Sequence, residues 1–288
     1  MTNKFTIQKA TREQMKARLA FLGPTGGGKT YTGLAIMTAL CERVVVIDTE
    51  NRRASLYSDV FDFDTLPLSP PYSPAVYTDA LHHCEGAGYD GILIDGISQA
   101  WDGEGGALEM VDAASKRSSG NSYVAWRDVT PVHNKMINAF INCQAHLGVT
   151  VRTKMEHVQE KDSNGRTQIR KVGMAPIQRQ GLEFEFDVVA DLDTDHNMII
   201  SKTRCSALDG KVYNKAGAEV ADVLRGWLDE GDPMITVDQD TAIRERIAAL
   251  GLTPDEVVTR LFESYKCDRL RLLKRDEASA FIDELTTE

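Results

Sequence analysis

The sequence has no apolar run near the roughly eighteen residues that a membrane span needs. None follows Met1-Thr2-Asn3-Lys4-Phe5 either, as an export signal requires. It has no C-x-x-C pair: Cys41, Cys84, Cys143, Cys205 and Cys267 stand singly. An odd, dispersed set of thiols without an export signal argues against a disulfide framework and for a reducing, cytoplasmic setting. His82, His83 and Cys84 are no metal site by spacing, because consecutive side chains on one helix point in different directions. A basic excess is also missing. The 33 Lys and Arg against 43 Asp and Glu leave a net charge of −10, which taken whole argues against a nucleic-acid partner.

The charge is unevenly placed, however. Between residues 152 and 180, seven bases (Arg152, Lys154, Lys161, Arg166, Arg170, Lys171, Arg179) face three acids (Glu156, Glu160, Asp162). Residues 228–288 carry fifteen acids and eight bases. A basic segment is therefore followed by an acidic tail, and the global sign conceals both.

Gly23-Pro24-Thr25-Gly26-Gly27-Gly28-Lys29-Thr30 fits the phosphate-binding pattern G-x-x-x-x-G-K-[ST] at every fixed position. The apolar run before it reads as a buried strand and residues 31–40 as a helix, which is the context the motif needs. Glycines let successive backbone N–H groups turn inward as an anion nest at a helix N-terminus. Lys29 then reaches the terminal phosphates and the Thr30 hydroxyl binds magnesium, so ATP and Mg²⁺ are the expected ligands. Tyr31, next in line, and Tyr72 are candidates for the adenine contact.

Further β-branched runs at residues 43–48, 91–95 and 146–152 read as buried strands, with another at 61–68. Helices are predicted over 75–87, 108–115 and 130–144, the last with Pro131 in its first turn. Residues 154–180 lack periodicity and read as a long basic loop around Ser163-Asn164-Gly165. Residues 184–191 and 197–201 read as a strand pair joined at Asp193-Thr194-Asp195-His196. Strands alternating with helices give an α/β fold with a mostly parallel sheet over residues 1–228. Gly231-Asp232-Pro233 marks a linker (229–238), and 239–288 form a small acidic helical module. Within it Thr253 and Glu256 have capping-box spacing.

Asp95 ends an apolar strand, the position of a carboxylate that holds magnesium. The next residue, Gly96, is not glutamate, so the Asp-Glu pair of AAA+ and helicase-type motifs is absent. Hydrolysis needs a carboxylate to polarise the attacking water. Glu50, just past the strand ending at Asp48, is the candidate.

A Gly-Pro phosphate loop, a glutamate after the next strand and a magnesium strand without its own glutamate resemble the RecA/RadA recombinase core. The stretches at 23–32, 47–53, 94–101, 125–131, 171–176 and 201–209 also resemble phage-encoded RecA-like ATPases, including Sak-type single-strand-annealing proteins. The resemblance implies a RecA-like P-loop NTPase core. It implies that Lys202 and Arg204, two residues apart, contact the ATP of a neighbouring subunit in a ring or filament. It also implies two DNA-binding loops, near 102–122 with Lys116 and Arg117, and near 154–180 with Lys154, Lys161, Arg166, Arg170 and Lys171. The family's sensor glutamine is not evident; Val151-Arg152-Thr153-Lys154 stands there.

The expected function is an ATP- and Mg²⁺-dependent recombinase or annealing ATPase on single-stranded DNA. The acidic module would recruit a single-strand-binding or other recombination protein, and no membrane is involved. A replicative motor or helicase loader is the alternative within this class, and a small-molecule P-loop kinase the alternative outside it.

Overall fold

Nine strands and nine α-helices run through the computed structural model, which describes residues 15–117, 122–161 and 167–286. The chain divides into two compact units, Lys16–Arg225 and one built on Gly226–Glu288.

In the first unit β1 (Arg18–Gly23) is followed by α1 (Lys29–Leu40), β2 (Val44–Asp48), β3 (Asp64–Pro67), α2 (Pro74–Gly86) and β4 (Gly91–Asp95). Then come the one-turn α3 (Gln99–Asp102), α4 (Ala107–Arg117), α5 (Ser122–Asn142), β5 (His146–Lys161) and β6 (Thr167–Pro176). β7 (Val188–Leu192), β8 (Asn197–Thr203), β9 (Val212–Asn214) and α6 (Ala218–Asp229) complete it. The strand order is β3-β2-β4-β5-β1-β7-β8-β9, with β6 paired to β5. Every pairing from β3 to β7 is parallel, and the β7–β8, β8–β9 and β5–β6 pairings are antiparallel. This is the α/β, mostly parallel core expected from the alternating pattern.

Both faces of the sheet are covered, which is why its strands read as continuous apolar runs. Ala20 and Leu22 of β1 and Ile92 and Ile94 of β4 pack with Tyr77 and Leu81 of α2 and Met136 and Phe140 of α5. The alternate residues Phe21 and Leu93 turn to the other face, where Gly33 of α1 leaves room for them. A parallel sheet gathers the carboxyl ends of its strands along one edge. Gly23, Asp48, Asp95 and the middle of β5 meet there.

Two readings of the sequence are corrected. Pro131 lies ten residues inside α5 rather than in a first turn. Its missing N–H removes one ladder bond, but the helix continues because both halves are buried: Ala125 and Val129 against α4, Met136 and Phe140 in the main core. The stretch 154–180 is not a loop either. β5 outruns its parallel neighbours and pairs with β6 as a two-stranded ribbon from Thr153↔Pro176 to Lys161↔Thr167, with a bulge at Glu156/His157. The pairing of β5 with β6 is a backbone property, and the sequence there has no sustained period to reveal it. The turn signal at 163–165 lies outside the described residues. Residues 184–191 also divide, into a 3₁₀ turn (Leu182–Glu185) and β7.

The second unit holds α7 (Val237–Leu250), α8 (Pro254–Tyr265) and α9 (Arg275–Thr286) around Ile243, Leu261, Leu273 and Phe281. Thr253 and Glu256 form the capping box their spacing predicts, and Thr236 with Gln239 forms a second. Among the described residues no helix is long and apolar enough to cross a membrane.

Candidate active site

The phosphate loop joins β1 to α1 and opens into a cavity of about 830 Å³. Gly26 and Gly28 have φ of 83° and 82°, a backbone that side chains disfavour and that turns successive N–H groups toward one point. Thr25, Gly26, Gly28, Lys29, Thr30 and Tyr31 line the cavity; Gly23, Pro24 and Gly27 shape the turn without lining it. Lys29 Nζ donates to the Pro24 carbonyl at 2.8 Å. Burial lowers the pKa of this ammonium and Arg152 adds to that, while Glu50 and Asp95 act to raise it.

Thr30 and Asp95 meet at this edge. The Thr30 hydroxyl lies 3.0 Å from both Asp95 carboxylate oxygens. A hydroxyl and a carboxylate side by side beneath an anion nest are a hard oxygen pair that fits magnesium bound to phosphate. Asp95 is itself held from β5, whose Thr150 hydroxyl donates to Oδ1 at 2.7 Å and accepts from the Gly96 N–H at 2.9 Å. Burial raises the Asp95 carboxyl to about 6, against the lowering effect of the hydrogen bonds from Thr150 and Thr30.

Glu50 reaches the same cavity because Asp48 makes the chain turn. The buried Asp48 carboxylate accepts from the Glu50 N–H at 2.7 Å and the Ala54 N–H at 3.2 Å. The Thr49 hydroxyl donates to the Asp95 carbonyl at 2.8 Å, tying this turn to the end of β4. Gly96 has φ of 100°, and a β-carbon there would collide with the Thr49 hydroxyl. The backbone therefore excludes glutamate at position 96, and the space it would need is taken by the Thr49–Glu50 turn. Arg152 of β5 donates from Nε (3.0 Å) and Nη2 (2.8 Å) to Glu50 Oε1. A carboxylate with one oxygen held, and no hydrogen-bond partner on the other among the described residues, is suited to orienting water.

An aromatic lobe adjoins the phosphate cradle. Tyr31 meets Tyr57 edge-on at 5.6 Å and Phe61 at 5.0 Å, and Tyr57 lines the cavity with Leu56 and Arg53. Tyr72, the other adenine candidate, is a core residue. His196 and Lys215 line the cavity as well. Sequence reasoning missed Arg53, Leu56, Tyr57, Thr150, His196 and Lys215 as site residues. Only Tyr57 carried a local signal, an aromatic one helix turn past the Glu50 loop.

Lys202 and Arg204 sit elsewhere. Thr203 pairs with Val188, and Val188 with Leu19, four residues before Gly23, or ~13 Å down the strand. Lys202 donates to the carbonyls of Phe184 and Phe186, and Arg204 pairs with Asp187 at 3.4 Å. Neither lines the cavity of its own chain. Lys116 and Arg117 end α4, and Lys154 is exposed on β5. Arg166 lies outside the described residues, as do the side chains of Lys161, Arg170 and Lys171. Trp126 stacks on Trp101 at 5.5 Å within a packed cluster, whereas Tyr123 is exposed.

A phosphate loop beside the Thr30–Asp95 pair on the carboxyl edge of a parallel sheet defines a P-loop nucleoside triphosphatase. Its family model agrees: the AAA domain model matches residues 15–229, and the chain belongs to that family of nucleotide-hydrolysing ATPases. No curated protein matches the chain.

Proposed function

We propose that this ATPase is a magnesium-dependent recombinase or annealing enzyme acting on single-stranded DNA, with Glu50 as general base and Thr30 and Asp95 as the magnesium side. The observation that carries this reading is the continuity of β5. One strand supplies Thr150 to Asp95, then Arg152 to Glu50, and runs on into the β5–β6 ribbon. In sequence, Lys154, Lys161, Arg166, Arg170 and Lys171 are spaced along that stretch, and clustered bases are what a phosphate backbone requires. A ligand that displaces the ribbon acts directly on the strand that positions the base. The resemblance to phage-encoded RecA-like ATPases points the same way.

Lys202 and Arg204 serve a neighbour's nucleotide in this reading, because their place at the end of β8 keeps them out of their own cavity lining. The working form is then a ring or filament, and hydrolysis depends on assembly. The acidic helical unit is free to recruit a second recombination protein. Steady-state ATPase measured with and without single-stranded DNA, over a range of protein concentration, tests the proposal. The rate per subunit rises with both; a rate indifferent to both contradicts it.

A further inference from the structure

Four cations line the nucleotide cavity, Lys29, Arg53, Arg152 and Lys215, against two carboxylates, Glu50 and Asp95. The surplus has the sign that a magnesium-bound triphosphate requires. Arg152 is already engaged by Glu50, and Lys29 by a loop carbonyl. Arg53 and Lys215 have no side-chain hydrogen bond or ion pair among the described residues.

Lys215 is placed by an unusual piece of backbone. It follows β9 with φ of 52°, and its N–H donates at 3.0 Å to the carbonyl of His196, itself at φ of 63°. Four of the five non-glycine residues with positive φ among the described residues, Asn51, Arg52, His196 and Lys215, belong to the cavity wall or to the turn after Glu50. Strain of this kind persists only where surrounding structure enforces it. Here the enforcement is visible. Asp193 Oδ1 accepts from the N–H groups of Asp195 and Asn197, both at 2.9 Å, and Oδ2 from Asn197 Nδ2 at 2.8 Å. The turn so fixed presses the His196 ring onto the phosphate loop, with Nδ1 3.0 Å from where a β-carbon on Gly28 would lie.

We infer that Lys215 is a second phosphate-binding cation of the nucleotide site, on the same chain as the phosphate loop, held at the cavity wall by its main-chain hydrogen bond to the His196 carbonyl. The ligand is the polyphosphate of a nucleoside triphosphate, so the inference rests on the nucleotide-binding reading above. An ammonium lining the same cavity as the anion nest, with no hydrogen bond or ion pair among the described residues, can add a charge-assisted contact to those of the loop amides and Lys29.

Calorimetric titration of the full chain with magnesium–ATP tests it. Lys215→Ala weakens binding about tenfold, the size of one charge-assisted contact, and Lys215→Arg recovers most of that loss. Wild-type affinity in Lys215→Ala, alongside lost binding in Lys29→Ala, overturns the inference and leaves the nucleotide reading intact. A wild-type chain that takes up no nucleotide overturns both.

Discussion

Arg152 and Glu50, 102 residues apart in sequence, form a two-donor contact in which both guanidinium N–H groups converge on one carboxylate oxygen. The other oxygen has no hydrogen-bond partner among the described residues. In the proposed function Arg152 orients Glu50 as the base, and it stands on the strand that continues into the ribbon.

Removing that orienter tests the coupling. The pair is partly exposed, with side-chain exposures of 38% and 22%, which limits its worth to ~1 kcal/mol. Arg152→Ala is expected to lower kcat roughly fivefold and to blunt the response to single-stranded DNA, with the fold intact. Steady-state kinetics with and without DNA decide it; an unchanged kcat removes Arg152 from the role.

Gly96 makes a second prediction, on stability. Its φ of 100° and the Thr49 hydroxyl leave no place for a β-carbon. Gly96→Ala is expected to cost ~2 kcal/mol, or roughly 5 °C in Tm. Gly96→Glu is expected to be at least as damaging and to give no second base. A melting temperature equal to the wild type refutes this.

A third prediction concerns pH. The His146 imidazole, where β5 begins, accepts the Ala17 N–H on Nδ1 at 3.1 Å. Burial lowers it from 6.5 to about 3, helped by the nearby cations Lys16, Arg18 and Arg225. The unfolded chain takes up a proton near 6.5 and the folded chain only near 3. In that window the unfolded state binds more protons, so stability is full above it and falls as pH drops. The expected loss from His146 is on the order of 2 kcal/mol between roughly pH 7 and pH 5. Denaturant titrations across that range measure it, and His146→Gln flattens the dependence. A slope identical in the variant assigns the effect to other groups.

What could be read from the sequence follows from how far apart the cooperating residues lie. The phosphate loop is one contiguous segment, and its flanking strand and helix follow from apolar runs that a doubly covered sheet demands. Glu50 is a candidate from the sequence because Gly96 carries no carboxylate, and the structure places it in the cavity lining. The reason Gly96 must be glycine, the Thr49–Glu50 turn held by Asp48, needed coordinates. Thr150, His196 and Lys215 enter the site through sheet order and a strained hairpin, neither of which leaves a local pattern, whereas Arg152 stands where the sequence expects the sensor residue. The β5–β6 ribbon stayed hidden because its pairing is a backbone property, and Pro131 misplaced a helix start because packing outweighed one lost hydrogen bond.

The central claim is that Glu50, from the turn after β2, does the work of the glutamate that position 96 cannot carry. Glu50→Gln, assayed for magnesium–ATP binding by titration and for turnover by phosphate release, tests it most directly. The account predicts near wild-type affinity with turnover reduced at least about 100-fold. Turnover close to wild type at unchanged affinity would contradict it.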